Sequence, residues 1–259
     1  KFNKKEPKVK FFLISIVTII LLTSNVVKSE VTELPYCTSK SIWKHAAYKG
    51  VDDSFLQNIE TAISSGYCGI ELDIIYDEKE KIIYISHNPI DSTEYKRKKS
   101  LIHLEKIIKD KNIYIWLDWK NTKLSNLSKG MDIIKDSMKG YLSNENSLIL
   151  IETPNLIHNE ILNLLNKDKN IAILNWISYS SNEDSLIEKT KNIFRFTRAW
   201  VYICYFSDKW VSSHDIKILK LCQNERKVKS IFIFTINDLK KAKKAFLMGA
   251  NVVLSDSLK

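Results

Sequence analysis

Eight short runs of β-branched and aromatic residues recur along this chain from residue 41 onward, separated by longer segments, and this alternation limits the fold more than any other feature. The runs are SIWKH (41–45), GIELDII (69–75), NIYIWLDW (112–119), SLILIE (147–152), NIAILNWI (170–177), WVYICYF (200–206), SIFIFTI (230–236) and NVVLS (251–255). Between them lie patterns such as DDSFLQNIETAISSG and NDLKKAKKAFLMG, apolar at three- and four-residue spacing and closed by a glycine that suits a helix C-terminus. Strands alternating with helices build βα units on a parallel sheet. One connection is irregular: EKEKIIYISHNPIDSTEYKRKK inserts a small strand, IIYIS, before the helical pattern LIHLEKIIKD. No linker rich in Pro, Gly or Ser breaks the series. The expected fold is a single (β/α)8 TIM barrel with a small β insertion after its second strand. The alternative, an open doubly wound sheet, lacks the GxGxxG or GxxxxGK(S/T) turn that cradles phosphate in such folds.

At 44% hydrophobic and 27% charged residues the composition excludes a disordered, collagenous or multi-span membrane chain. The formal net charge is +10, but residues 1–10 (KFNKKEPKVK) alone hold five Lys and one Glu. An uncharged apolar stretch, FFLISIVTIILLTSNVV, follows directly. A basic start, an apolar run and then Val27, Lys28 and Ser29 read as a signal peptide over residues 1–29, ahead of a barrel domain at 30–259. The chain is therefore expected to be secreted or periplasmic, or membrane-anchored if the signal is not cleaved. Without residues 1–29, which carry six Lys and one Glu, 34 basic and 29 acidic residues remain, a net +5. No nucleic-acid motif accompanies that charge, so nucleic acid is not an expected partner. Four cysteines, Cys37, Cys68, Cys204 and Cys222, have neither CxxC nor zinc-site spacing. Cys68 and Cys204 fall at barrel strands and are expected to be buried there, leaving Cys37 and Cys222 freer to pair in an oxidising compartment.

In a barrel the chemistry sits at the C-terminal ends of the strands. In the second run Glu71 and Asp73 are two apart and share a face, while Ile70, Leu72 and Ile74 take the other. The apolar face belongs under the helices, so the carboxylates should face the barrel mouth. Asp118 and Lys120 repeat the arrangement in the third run. Three converging carboxylates repel unless a cation joins them, and an oxygen-only ligand set suits Mg2+ or Ca2+ rather than zinc. His45 ends the first run and His87 follows the inserted strand. Two imidazoles flanking such a site can hand a proton to one oxygen and take one from another across a phosphorus centre. Lys120 offers a fixed charge to a phosphoryl oxygen. Glu152, Trp176 and Tyr205, near other strand ends, are candidates for a head-group pocket.

These residues resemble the glycerophosphodiester phosphodiesterase family of phospholipase C-like TIM barrels, from about Ile42 to Asp256. That family opens with His-Arg-Gly, continues with Gly-Ala-Asp-x-Ile-Glu-x-Asp and His-Asp, and carries Glu-x-Lys on the third strand. Here the same order reads His45-Ala46-Ala47, Gly66-Tyr67-Cys68-Gly69-Ile70-Glu71-Leu72-Asp73, His87-Asn88 and Asp118-Trp119-Lys120. The family's two closing segments are matched by Phe234-Thr235-Ile236-Asn237-Asp238 and by Gly249-Ala250-Asn251-Val252-Val253-Leu254-Ser255-Asp256. The resemblance implies a metal-dependent phosphodiesterase acting on glycerophosphodiesters or related (lyso)phospholipid diesters. Glu71, Asp73 and Asp118 would hold the cation, His45 and His87 would be the acid/base pair, and Lys120 would contact phosphate.

Three positions depart from the pattern: Ala46 replaces Arg, Asn88 replaces Asp, and Asp118 replaces Glu. The aspartate before lysine and the short connection from His87 to Asp118 also resemble the sphingomyelinase D-type phospholipases built on the same barrel, which form a cyclic phosphate. A non-catalytic binding protein on an inherited barrel is the further alternative, favoured by Ala46 and Asn88. The expected partner is a small-molecule or lipid phosphodiester, with a membrane surface as a second partner and the chain acting as a monomer.

Overall fold

The computed structural model describes residues 41–47, 54–87, 99–153, 164, 168, 170–177, 201–204, 230–233 and 235–257, with 175–177 and 201–204 as backbone. All of them belong to the second of two units, Glu33–Lys259. Residues 1–40, which include the expected signal segment, lie outside the described residues. No helix among the described residues is long and apolar enough to cross a membrane.

The strands are β1 (Ser41–Lys44), β2 (Gly69–Asp77), β3 (Ile82–Ile85), β4 (Tyr114–Trp119), β5 (Ile149–Glu152), β6 (Ile171–Ile177), β7 (Val201–Cys204), β8 (Ile231–Ile233) and β9 (Val252–Ser255). They form one sheet in the order β1-β9-β8-β7-β6-β5-β4-β2-β3, and a further β1–β2 pairing closes the ring. Eight strands are parallel to their ring neighbours, as the eight sequence runs required. The ninth, β3, is the inserted strand. It pairs antiparallel with the second half of β2, from Ile74↔Ile85 to Asp77↔Ile82, beyond the point where β1 covers the same edge. The expected barrel with one small β insertion is thus observed.

Alternation along the strands sorts the core into two shells. Outside, Ile70, Leu72, Ile74, Ile115, Leu117, Trp119, Ile149 and Ile151 pack against the helices. Inside, Trp43, Tyr114, Trp116, Leu150, Phe232 and Leu254 fill the barrel. Trp43 stacks on Tyr114 with ring centroids 5.7 Å apart and meets Phe232 edge-on at 5.0 Å, while Trp116 meets Phe232 edge-on at 5.8 Å. Such pairs add about 0.5–1.5 kcal/mol each beyond the apolar area they bury. The aromatic plug therefore closes the lower barrel and leaves the upper end to polar groups.

Gly69, which opens β2, makes room for this plug. A Cβ there would lie 2.3 Å from Cδ2 of Trp43, whose indole is fully buried. Gly69→Ala is expected to destabilise the fold by about 1–3 kcal/mol, because a wedged indole has no void to enter; chemical denaturation would measure it. Helix ends also follow the sequence signals. Helix Ser54–Ser64 is followed by Gly66 at φ +82° and helix Leu239–Leu247 by Gly249 at φ +103°, the left-handed conformation that a helix-ending glycine adopts readily. Helix Leu101–Ile108 starts at Ser100, whose backbone N–H donates to Nδ1 of His103 at 3.2 Å. His103 is thus a capping residue, and burial among Lys99 and Lys106 keeps its pKa low, which preserves the acceptor.

One cysteine expectation is corrected. Cys68 is disulfide-bonded rather than a free buried thiol. It sits just before β2, partly buried against the inner core. Cys37 and Cys222 lie outside the described residues, as does the side chain of Cys204.

Candidate active site

Strand register brings the predicted residues together. Asp73 is opposite Asp118 in β2–β4, and Asp118 is opposite Glu152 in β4–β5, so three adjacent strands present a carboxylate at one level. Glu71 lies two residues below Asp73 on the same face, opposite Trp116. Ligand oxygens of Glu71, Asp73 and Asp118 all lie within 4.8 Å of one another. The acid pair read from the ExD pattern is therefore a cluster at the mouth, above the aromatic plug.

The two histidines arrive by different routes. Lys44 pairs with Ser255 in β1–β9, so His45 follows beside Asp256, and His45 Nδ1 lies 2.8 Å from Asp256 Oδ1. Asp256 is itself held: Asn237 Nδ2 donates to its Oδ2 at 3.1 Å, and its backbone N–H donates to Asn237 Oδ1 at 2.8 Å. The second histidine depends on the inserted strand. The β2–β3 hairpin folds the chain back so that Ser86 N–H donates to Asp73 O at 2.9 Å, and His87 Nδ1 reaches Asp73 Oδ2 at 2.8 Å. The β insertion thus serves to deliver an imidazole to the cluster.

Lys120 leaves β4 with its N–H on Ile74 O at 3.0 Å. Asn121, next along, pairs both ways with the Tyr76 backbone at 3.0 and 2.8 Å and so extends the sheet past its last residue. Held there, Lys120 Nζ bonds Asp73 Oδ1 at 2.6 Å and also pairs with Asp118 Oδ2. Ala46 adopts φ +44°, and its N–H donates to Glu71 Oε2 at 2.6 Å. A left-handed non-glycine residue costs of order 1 kcal/mol or more. Here the turn points a backbone donor at a buried carboxylate.

These groups line one cavity of about 220 Å3, bounded by His45, Ala46, Glu71, Asp73, His87, Trp116, Asp118, Lys120 and Glu152. Four carboxylates face one lysine, and the imbalance is visible in their acidities. Burial, reinforced by Asp73, pushes the Glu71 carboxyl up to about 8. Burial also raises Asp118, with Lys120 opposing. Glu152 is held well above the carboxylate range by burial and then by Asp118, although Trp116 Nε1 donates to it at 3.1 Å. On Lys120, burial favours the neutral amine, but Asp118 and Asp73 outweigh it and raise the pKa.

The donor set fits a hard divalent cation. Glu71, Asp73 and Asp118 offer only oxygens, and a net negative buried cluster is stabilised by a +2 charge that one lysine cannot supply. His45 lies with Nε2 3.9 Å from Glu71 Oε2, its other nitrogen turned to Asp256. Nδ1 of each histidine faces a carboxylate, an arrangement that fixes the ring and suits Nε2 to proton transfer.

Every predicted site residue whose side chain is described lines this cavity. The side chain of Trp176, in β6, and all of Tyr205 lie outside the described residues. Reading the sequence for acids and histidines at strand ends passed over Asp256, Asn237 and Trp116. The first two stand in the closing segments quoted above, but their part in orienting His45 depends on β1 pairing with β9 across 211 residues of sequence.

No protein-family model matches this chain. A search of curated proteins likewise finds no match. Solved structures do match. A phosphodiesterase of Oleispira antarctica, determined in complex with the product sn-glycerol-3-phosphate, superposes with a TM-score of 0.61 at 15% identity, over 83% of this chain and 92% of that one. A glycerophosphodiester phosphodiesterase of Parabacteroides distasonis gives 0.59 at 14% identity, over 84% and 93%. Phosphoribosyl anthranilate isomerase of Thermococcus kodakaraensis gives 0.50 at 11%, over 85% and 90%. The resemblance read from the sequence is thus met at the level of the fold. Since a barrel of unrelated activity also superposes, the side chains at the mouth carry the functional argument.

Proposed function

We propose that this chain is a divalent-cation-dependent phosphodiesterase that hydrolyses glycerophosphodiesters or lysophospholipid-like diesters. The observation that carries the reading is one cavity lined by two carboxylate-backed imidazoles, three clustered carboxylates and Lys120. Fold neighbours that include glycerophosphodiester phosphodiesterases support the substrate class. Glu71, Asp73 and Asp118 would hold Mg2+ or Ca2+. When bound, the cation would neutralise the diester and the charge that builds on its oxygens.

His45 and His87 then work across phosphorus. One Nε2 takes the proton from the attacking hydroxyl, the P–O bond to the leaving alkoxide breaks, and the other imidazole returns a proton to that oxygen. Asp256 and Asp73 fix the orientation of the two rings. Lys120 offsets the charge of Asp73 and Asp118 and lines the cavity, where it can meet a phosphoryl oxygen. Attack by water yields an open phosphomonoester; attack by the substrate's own hydroxyl yields a cyclic phosphate. The disulfide at Cys68 supports function in a secreted or periplasmic setting, as the basic and apolar N-terminal segment does.

The direct test is 31P NMR of mixed diesters incubated with the protein and Mg2+ or Ca2+. A new monoester or cyclic phosphate resonance, lost on chelation, is the expected result. Unchanged glycerophosphodiesters and lysophospholipids with both ions would overturn the proposal. Glu152 bears on the head group. Lys120 is engaged with Asp73 and Asp118, and burial holds Glu152 toward its neutral form, so its charge would be drawn out by a cation bound beside it, which favours a substrate whose alcohol carries a positive charge. Glu152→Gln should lower kcat/KM for glycerophosphocholine and glycerophosphoethanolamine about tenfold, the scale of one charged hydrogen bond or ion pair, and leave glycerophosphoglycerol unchanged. Equal losses on all three would exclude this role.

A further inference from the structure

The helix Leu239–Leu247 differs in charge from the other described helices. Its exposed positions include Lys240, Lys243 and Lys244, and no acidic residue occurs from 239 to 255. Two other helices mix their signs: Leu101–Ile108 carries Glu105 beside Lys106, and Leu124–Ser137 carries Asp132 and Asp136 among its lysines, with Lys135 bound to Asp168 at 2.6 Å; Ser54–Ser64 carries Glu60 and no basic residue. In Leu239–Leu247 the buried side is made by Ala242 and Ala245. At 100° per residue, Lys240, Lys243, Lys244 and Leu247 fall on the opposite side. Leu247 is 83% exposed, the most exposed large apolar residue described, and it stands within that lysine face.

We infer that this face is a docking surface for an anionic lipid bilayer. A helix that carries several lysines around an exposed leucine satisfies both demands of an interfacial helix, attraction to anionic head groups and an apolar side chain to enter below them. The chemistry favours lipid over an acidic protein or nucleic acid, neither of which gives an isolated leucine an apolar layer to enter. The helix also begins at the active-site rim. Its N-cap, Asp238, adjoins Asn237, which holds the Asp256 behind His45. From there the helix runs down the flank of the barrel. Docking along it lays the barrel on its side with the mouth at the lipid boundary, within reach of a diester leaving or entering the membrane. At the usual contribution of a lysine near an anionic surface, three together give roughly a hundredfold preference for anionic over neutral vesicles.

The test is residue-specific acetylation of lysines by an N-hydroxysuccinimide ester, read by mass spectrometry on the whole chain. It is run with vesicles of phosphatidylcholine alone or with about 30% phosphatidylserine, a strongly anionic surface. Lys240, Lys243 and Lys244 should react at least about fivefold more slowly with the anionic vesicles only, and the shielding should vanish near 0.5 M salt, where the Debye length is a few ångströms. Lys106, Lys109 and Lys111 should be unaffected. Because each lysine is read separately, an N-terminal apolar segment entering the bilayer does not imitate the result. The combined variant Lys240→Glu, Lys243→Glu, Lys244→Glu, and separately Leu247→Glu, should sediment less with anionic vesicles, while turnover of a soluble glycerophosphodiester stays at the wild-type level. Uniform shielding of all lysines, no shielding, or undiminished sedimentation of both variants would overturn the inference. Absence of turnover in every protein would count against the proposed activity alone.

Discussion

His45→Ala should lower kcat by about 10^2–10^4, the range that a positioned acid or base contributes, with a smaller change in KM. The Asp256 partnership sharpens this expectation. Asp256→Asn keeps the shape and a contact with His45 Nδ1 but replaces the carboxylate that orients the ring with an amide. It should therefore lose a substantial part of the same factor in kcat while KM and Tm stay near wild type, whereas loss of a merely structural residue would lower Tm as well. His87→Ala should match His45→Ala in size, because each histidine handles one proton of the same displacement. The two losses should combine to much less than their product, as members of one proton-transfer unit do. Steady-state kinetics of the two single variants and the double variant on one glycerophosphodiester would decide it. A His45→Ala or His87→Ala protein of wild-type kcat would remove that residue from the mechanism.

Withdrawing divalent cations should abolish turnover and reveal a pH-dependent weakness of the fold. Glu71 has a folded-state pKa of about 8, raised from an ordinary 4.5 by burial and then by Asp73. Between those values the folded chain holds a proton that the unfolded chain has released. The stability that this protonation confers is fully present below about pH 4.5 and is lost as the pH rises toward 8. Cation-free protein should accordingly melt at falling temperature across that window. Mg2+ or Ca2+ binds the ionised cluster, so its effect runs the other way and grows with pH. At about 100 times its Kd a cation adds about 2.7 kcal/mol, which for a domain of this size raises Tm by roughly 5–10 °C. Calorimetric scans at about pH 5.5 and pH 8, with and without the cation, would measure both trends. A Tm insensitive to cation at either pH would show that Glu71, Asp73 and Asp118 do not form the site.

Much of the fold was legible because barrel strands announce themselves. Ile70, Leu72 and Ile74 alternate with Glu71 and Asp73, and only one face of a strand in a closed barrel can be covered by helices. The same parity placed Asp118 beside Asp73. Lys120 and His87 were legible as residue types but not as partners, since their meeting at Asp73 depends on the β2–β3 hairpin and on the Asn121 lock at the end of β4. Cys68 misled because a half-cystine and a free thiol look alike until a second segment is placed against it.

Local pattern by itself determined the number and order of the strands, the inserted β strand, the helix-ending glycines and the identity of the acids and imidazoles. Each depends on residues close together in the chain, where side-chain period and backbone preference suffice. Tertiary structure alone decided that Asp256 backs His45, that Ala46 turns left-handed to bond Glu71, that Glu152 joins the cavity, and that Leu247 stands among lysines facing outward. Those facts depend on ring closure, on register between strands far apart in sequence, and on which helix face the barrel covers. The charge of the site is of that second kind: four carboxylates and one lysine are unremarkable along a chain and become a cation-demanding cluster only when the barrel removes the water between them.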